Sequence, residues 1–301
     1  MNQGNRPHST IQELANLLGI KPTQLYHLAK KAHLYYQRGE KVKPDGRVRV
    51  FYKPRGELKK IQRTIHRKIL RELPVHESIH SYRKKRDHIT NALPHVGKPY
   101  MIKLDIKDFF PSVNPQMVRT TLLKLGFSDS VIRILLRFTT YLNQLPQGPP
   151  TSPGIADLVL FPLARRFECL CLQHGATFTV YGDDITVSGS ERILKLKNVF
   201  MRIIMDEGYT VHPDKIEVSK PRDKKKVTGV VVNIKPNIDK EYYRLLRSKI
   251  HNCRVKGPDT QFEGDLPKAR NSLLGKINHV KRLNPNRGKK LMDEFSLIKW
   301  G

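Results

Sequence analysis

Cysteine is nearly absent from this sequence: Cys169, Cys171 and Cys253 are the only three in 301 residues. Three cysteines cannot build a disulfide framework, and their spacing lacks the paired pattern of a zinc site. A reducing compartment is therefore expected, with oxygen atoms as the ligands of any metal. Long apolar runs are missing as well. The longest, Leu158 to Ala164, is interrupted by Pro162 and is far shorter than a membrane span, and the opening MNQGNRPHST has no apolar signal core. The expectation is a cytoplasmic protein with no membrane partner. Acidic residues are scarce: Asp plus Glu total 27 against 56 Lys plus Arg, a formal charge of +29. That imbalance points first to nucleic acid, a polyanion that supplies the missing negative charge and releases counterions when bound. Hydrophobic residues still make up 38% of the chain, so it can bury a core and is not a disordered basic tail.

What is present divides along the chain without internal repeats. Ser9 or Thr10 can cap a helix from Ile11 to Leu18 that Gly19 stops, and a second helical pattern runs from Pro22 to about His33. The pair imitates a helix-turn-helix, but its period carries no base-reading information, so it is read as two helices packing on a larger domain. From Arg38 to Lys68 there are 12 basic residues against three acidic ones. A Pro44-Asp45-Gly46 turn leads into the alternation Arg47 to Tyr52, a strand with one basic face. A helix follows from about Leu58 to Leu73 with Leu58, Ile61, Ile65, Ile69 and Leu73 on one stripe. A solvated surface would look similar; strand and helix together make a phosphate-facing surface the expectation. Residues 100–105 read as a strand with Tyr100, Ile102 and Leu104 buried and Met101, Lys103 and Asp105 facing the other way. Helices are predicted over about 115–125, 128–142, 155–174 and 190–207, strands within 176–188 and 226–234, and basic helices from Asp239 onward.

The segment TFTVYGDDITVSG alternates around a tight turn, which lets a hairpin present Asp183 and Asp184 at its tip. Alone, two acidic residues in a turn are commonly an Asx turn. Asp105, at the end of another predicted strand and followed by Phe109-Phe110, changes the reading. Three carboxylates on neighbouring strand ends can hold two hard cations about 3.5–4 Å apart, clamping the attacking and leaving oxygens of phosphoryl transfer.

The ordered segments KLDIKDFFPSV (103–113), LPQGPPTSP (145–153), YGDD (181–184) and GYTVHPDK (208–215) resemble the palm motifs of reverse transcriptases. NALPH (91–95) looks like the NAxxH element of retron reverse transcriptases, and VTG (227–229) like their VTG element. Retron enzymes often carry Ala where this chain has Gly182, so the subfamily rests on those two elements. The resemblance, over about residues 10–301, implies an α+β fold, a right-hand polymerase with fingers, antiparallel-sheet palm and helical thumb. It implies N-terminal helices over 1–36 packing on the fingers, fingers and palm over 37–235 and thumb over 236–301. It implies RNA-directed DNA synthesis from dNTPs with two Mg2+ ions. Asp105, Asp183 and Asp184 would hold the metals with the Ile106 carbonyl, and Lys215 would protonate the departing pyrophosphate. Phe110 would be the gate under the incoming sugar, with Phe109 in the core. Gln147 and Gly148 would line the nucleotide, and Lys53 and Arg55 are triphosphate candidates by position. RNA contacts are expected from Asn91, His95, Val227, Thr228, Gly229, Arg244, Arg247 and Lys276.

The same resemblance implies a dedicated structured noncoding RNA as template, priming from an internal guanosine 2′-OH, and a branched RNA-linked single-stranded DNA as product. A role in phage defence with an effector protein is implied too. With about 70 residues after VTG, there is room for a thumb but not for an RNase H domain, so template removal is expected from a host RNase H. The alternatives are a compact group II intron-like or diversity-generating reverse transcriptase, and a noncatalytic RNA-binding scaffold, against which the intact acidic triad argues.

Overall fold

The computed structural model describes residues 9–42, 46 and 48–300, and within them helices and antiparallel strands alternate in an α+β arrangement. Helix α1 (Ile11–Leu18) begins with a capping box, Thr10 accepting from the Glu13 N–H, and ends at Gly19 in the left-handed region, as its sequence requires. Helix α2 (Pro22–Lys31) follows. Leu14, Ala15, Leu25 and Ala29 enter the main core, so the pair is a buried buttress and not a protruding reading head.

Strands β1 (Tyr36–Val42) and β2 (Val48–Pro54) form an antiparallel hairpin. The expected turn residues Pro44 and Asp45, and the strand start at Arg47, lie outside the described residues. Helix α3 (Gly56–Ile65) runs into a single π turn, His66–Leu70, and Leu58, Ile61, Ile65 and Ile69 of the predicted stripe are buried.

The central sheet has four strands in the order β4-β5-β3-β6: β3 (Tyr100–Asp105), β4 (Thr177–Tyr181), β5 (Asp184–Gly189) and β6 (Glu217–Ser219). Ile102 and Leu104 of β3 join the main core as expected, with Tyr100 packed against it. Met101, expected to face away, is nevertheless fully buried, because the second face of the sheet is covered there too. The helices between strands also differ in detail. The segment predicted as one helix over 155–174 is two, Ser152–Val159 and Phe161–Gln173, broken before Pro162, which has no N–H to continue the ladder and instead opens the next helix. The segment 190–207 likewise divides at Leu196. Helices at Phe109–Ser112, Pro115–Lys124 and Asp129–Thr139 complete this part of the chain.

The chain folds as two compact units: residues up to Asp87 together with Tyr100–Val218, and His88–Pro99 together with Ser219 onward. The division falls at 218/219, not at the expected 235/236, and brings the NALPH segment into the C-terminal unit. There the two-residue strands Lys226–Val227 and Val230–Val231 pair through Thr228 and Gly229, both with positive φ (44° and 86°). The strands expected within 226–234 are thus the two arms of a tight hairpin turn. Three long helices follow, Lys240–Lys256, Leu266–Leu283 and Pro285–Ser296. The last two cross with almost no separation: a Cβ built on Gly288 would lie 2.3 Å from the Cα of Lys281. No helix among the described residues is long and apolar enough to cross a membrane.

Candidate active site

Strand ends place the carboxylates. Strand β3 pairs with β5 so that Asp105 stands directly opposite Asp184, and β4 reaches β5 through Gly182, at φ +64°, and Asp183. The Ile106 N–H donates to the Asp183 carbonyl at 3.0 Å, and the His212 N–H to the Asp105 carbonyl at 2.8 Å, tying the turn and the following loop to the end of β3. Carboxylate oxygens of Asp105, Asp183 and Asp184 consequently lie within 4.8 Å of one another. Asp105 is buried, whereas Asp183 and Asp184 keep exposed surface at the turn although the protein crowds their carboxylates.

Three like charges this close are mutually unfavourable. Burial, reinforced by its two neighbours, pushes the Asp184 carboxyl up to about 6, and burial with the Asp105 charge raises Asp183 as well. Among the described residues Lys215 meets the cluster directly, its ammonium donating to Asp105 Oδ1 at 2.7 Å, and the charges of Arg49 and Lys103 act on Asp183 and Asp184 respectively. Burial alone would lower Lys215, but this hydrogen bond and the three carboxylates raise it, so the ammonium holds its proton. With a single ammonium in direct contact, the three carboxylates remain a cluster of hard oxygen donors whose raised carboxyls show unrelieved repulsion, which fits divalent metal ions.

A cleft of about 640 Å³ opens in front of Asp105 and Asp183. Phe109 and Phe110 both border it; Phe109, 3% exposed, belongs to the core, and Phe110 is half-buried against that core. Asp108, in the left-handed region, precedes the short helix that carries both. Gln147 lines the cleft too, its carbonyl accepting from the Tyr52 N–H at 2.7 Å. Gly148, at φ +114°, does not line it but lets the loop touch β2: a Cβ there would sit 2.9 Å from the Tyr52 carbonyl oxygen.

Lys53 and Arg55 do not line the cleft. The Lys53 ammonium lies over the Phe51 ring and the Arg55 guanidinium bonds Gln37. Among the described residues, the hairpin cations that do line it are Arg38 and Arg49, the latter bonded to the Gln147 side chain. Sequence reasoning missed both, although Arg49 lay in the basic alternation that marked the strand. It also missed Tyr82 and His212, which line the same cleft.

In the C-terminal unit, Asn91 and His95 are buried, 1% and 0% exposed, as is Val227, so none of the three presents a surface to RNA. Their neighbourhood is a clasp: the Thr228 hydroxyl donates to the His88 carbonyl at 2.6 Å, and the Asn91 amide approaches that hydroxyl at 3.4 Å. NALPH thereby supports the hairpin whose tip, Thr228-Gly229, is partly exposed. Arg244, Arg247 and Lys276 are exposed on their helices.

Comparison with known proteins agrees with this geometry. The family model described as reverse transcriptase (RNA-dependent DNA polymerase) matches residues 41–232. The retron Ec86 reverse transcriptase of Escherichia coli is 34% identical over 216 residues, covering 71% of this chain and 68% of that protein. The chain belongs to the retron-type reverse transcriptases. The retron Mx65 reverse transcriptase of Myxococcus xanthus extends the likeness to 94% of this chain and 70% of its own, at 31% identity. Among solved structures, telomerase from Candida albicans in complex with a fragment of telomeric RNA aligns with a TM-score of 0.51 over 98% of this chain and 71% of that one, at 12% identity. Apo telomerase from Candida tropicalis gives 0.52 over 87% and 55%, at 11% identity. At such identities the likeness shows the fold, the right-hand polymerase with an antiparallel palm sheet. The protein is thus an RNA-directed DNA polymerase of a retron, with RNA and DNA as its macromolecular partners and a divalent-metal chemistry that its aspartate cluster fits.

Proposed function

We propose that this reverse transcriptase copies a dedicated structured noncoding RNA, starting from an internal guanosine 2′-OH, into a branched RNA-linked single-stranded DNA, using dNTPs and two Mg2+ ions. The observation that carries the catalytic part is the cluster of Asp105, Asp183 and Asp184 within 4.8 Å, facing a cleft whose other walls are cationic and aromatic. The three carboxylates, with the Ile106 carbonyl, would hold the ions, which when bound lower the barrier by neutralising charge on the attacking and leaving oxygens.

The chain's own groups do the rest. Arg38 and Arg49 supply positive charge at the hairpin side of the cleft for a triphosphate, in place of Lys53 and Arg55. The protonated Lys215 Nζ, kept charged by Asp105, is the proton source for the departing pyrophosphate. Phe110 excludes a ribose 2′-OH by bulk, and Gln147 with its Gly148 hinge holds the nucleotide-facing loop on β2. The exposed Arg244, Arg247 and Lys276, with the Thr228-Gly229 tip, hold phosphates of the cognate RNA, while Asn91, His95 and Val227 position that tip. A host RNase H then removes template, the enzyme works in the cytoplasm, and an effector protein joins it in phage defence.

Asp183→Asn tests the catalytic reading: primer extension is lost while RNA binding persists, because the substitution removes a metal-holding charge and leaves the basic surface intact. Polymerisation within about tenfold of wild type, only ~1.4 kcal/mol of barrier, would overturn it. A product from the cognate RNA without a 2′,5′ linkage would overturn the priming reading alone.

A further inference from the structure

Tyr82 stands in the catalytic cleft in a backbone conformation that an aromatic side chain resists, φ +52°. Its neighbours on both sides explain how it is held there. Residues 78–80 pair with the free edge of β4, the Val180 N–H donating to Ser78 O at 2.8 Å and the His80 N–H to Val180 O at 2.9 Å. The Ser81 hydroxyl then donates to Asp157 Oδ1 at 2.7 Å, and Arg83 pairs with the other oxygen of the same carboxylate at 3.3 Å. Ser81 and Asp157 are 0% and 1% exposed. Arg83 also donates to the Leu70 carbonyl at 3.2 Å. With residues 81 and 83 both fastened to one buried carboxylate, the residue between them has nowhere to go but outward, and its ring enters the cleft 45% exposed.

The ring arrives at a particular place. It meets Phe110 edge to face, centroids 6.3 Å apart, and its hydroxyl hangs over the catalytic turn, where a Cβ built on Gly182 would lie 3.3 Å away. Gly182 therefore provides both the left-handed turn and the space that the tyrosine hydroxyl occupies. That hydroxyl has no hydrogen-bond partner among the described residues. A strained backbone, an exposed ring and an unpartnered hydroxyl, all over-determined by a buried clamp, are unfavourable for folding and serve a ligand.

Polymerisation brings two sugars to the carboxylates, that of the incoming nucleotide and that bearing the attacking hydroxyl. Phe110, following Asp105, flanks the first in the function proposed above, on which this inference rests. Tyr82 flanks the turn that carries Asp183. We propose that Tyr82 is a specificity-determining residue that packs on the sugar bearing the attacking hydroxyl, its own hydroxyl donating a hydrogen bond to the sugar oxygen next to the attacking one. A ribose carries that second oxygen, the esterified 3′ oxygen when an internal 2′-OH attacks and the 2′-OH when a 3′ terminus does, whereas a deoxyribose terminus lacks it, so the contact favours starting on RNA, and the ring then serves the deoxyribose ends that follow.

The test is extension of two primers of identical sequence on one template, one ending in ribose and one in deoxyribose, by wild type, Tyr82→Phe and Tyr82→Ala. Tyr82→Phe keeps the ring and loses the hydroxyl. It lowers kcat/KM for the ribose-ended primer about fivefold to tenfold, the scale of one hydrogen bond, with the deoxyribose-ended primer and the KM for dNTP within twofold of wild type. Tyr82→Ala lowers both primers. Equal effects of Tyr82→Phe on the two primers would overturn the inference, whatever Tyr82→Ala does. Tyr82→Phe retains the ring and its contact with Phe110, so it carries the test if the alanine variant fails to fold. Because these variants are compared by a ratio within active enzyme, their outcome is separate from the loss of all extension in Asp183→Asn.

Discussion

Gly148→Ala is the substitution through which the nucleotide-facing loop can be tested without touching a reacting group. Two costs arise. At φ +114° an L-residue is strained by ~1–3 kcal/mol, and a Cβ 2.9 Å from the Tyr52 carbonyl oxygen adds overpacking of the same order, ~1–3 kcal/mol. The total, about 2–6 kcal/mol, has a cheaper outlet than unfolding. The loop is tied to β2 by the Tyr52 N–H to Gln147 O bond of 2.7 Å and by the Arg49 to Gln147 side-chain bond. Releasing the pair costs about 1–3 kcal/mol at 0.5–1.5 each. The loop therefore lifts off the hairpin, and Gln147 leaves the cleft wall while the carboxylates stay in place. In steady-state incorporation of dTTP on a primed homopolymer, KM for nucleotide rises at least tenfold and kcat falls much less, with a folded protein in thermal melts. Wild-type KM in a folded Gly148→Ala enzyme would mean that this loop does not form the nucleotide site.

Phe110→Val relaxes sugar selection, because exclusion by bulk is lost when the side chain shrinks; the ratio of ribonucleotide to deoxynucleotide incorporation rises, and an unchanged ratio in an active variant would return Phe110 to a packing role. Asp239, held well below the usual carboxylate range chiefly by Lys224 and Lys226, caps the helix at Lys240. Its depressed value stabilises the fold above the unfolded carboxyl's pKa near 3.9, and that contribution disappears as pH falls below it. Asp239→Asn therefore unfolds about 1 kcal/mol more easily at neutral pH, and the difference from wild type closes on acidification in urea titrations. Replacing Arg244 and Arg247 together by Glu weakens RNA binding and flattens its log-log dependence on salt by about two units, measured by filter binding across a salt series.

How much of this architecture is visible in the sequence depends on whether the signal is local. The N-terminal helices are legible because Thr10, Glu13 and Gly19 write both ends of α1 into adjacent residues. Strand β1 is not, since Tyr36-Gln37-Arg38-Gly39-Glu40-Lys41-Val42 has no alternation and is exposed or half-buried throughout; it is a strand because β2 pairs with it. Apolar residues continue through the breaks at Leu160 and Leu196, so period alone reads one helix where two meet. The burial of Met101 and the transfer of residues 88–99 to the C-terminal unit likewise come from what covers or surrounds them, which no window of sequence contains.

The site divides along the same line. Asp183 and Asp184 flank a hairpin turn, and Asp105 ends a strand, so their convergence needs only that β3 lie beside β5 in the observed register. Which cations face the cleft is a different matter. Alternation separates Arg49 from its immediate neighbours but not from Lys53, two steps of two away on the same strand; their division into cleft and periphery follows from how the hairpin lies against the loop at Gln147. Asn91 and His95 show the opposite failure: the motif suggests a contact surface, yet these two side chains are buried, and the Asn91 amide approaches the Thr228 hydroxyl. A motif can mark a place of importance without marking a surface. Tyr82 had no local signal at all, because a positive φ at a non-glycine residue is imposed by tertiary contacts. Ser81 and Arg83 bind Asp157 across 76 and 74 positions of sequence, and only the folded chain reveals that the residue between them is presented to the reaction centre.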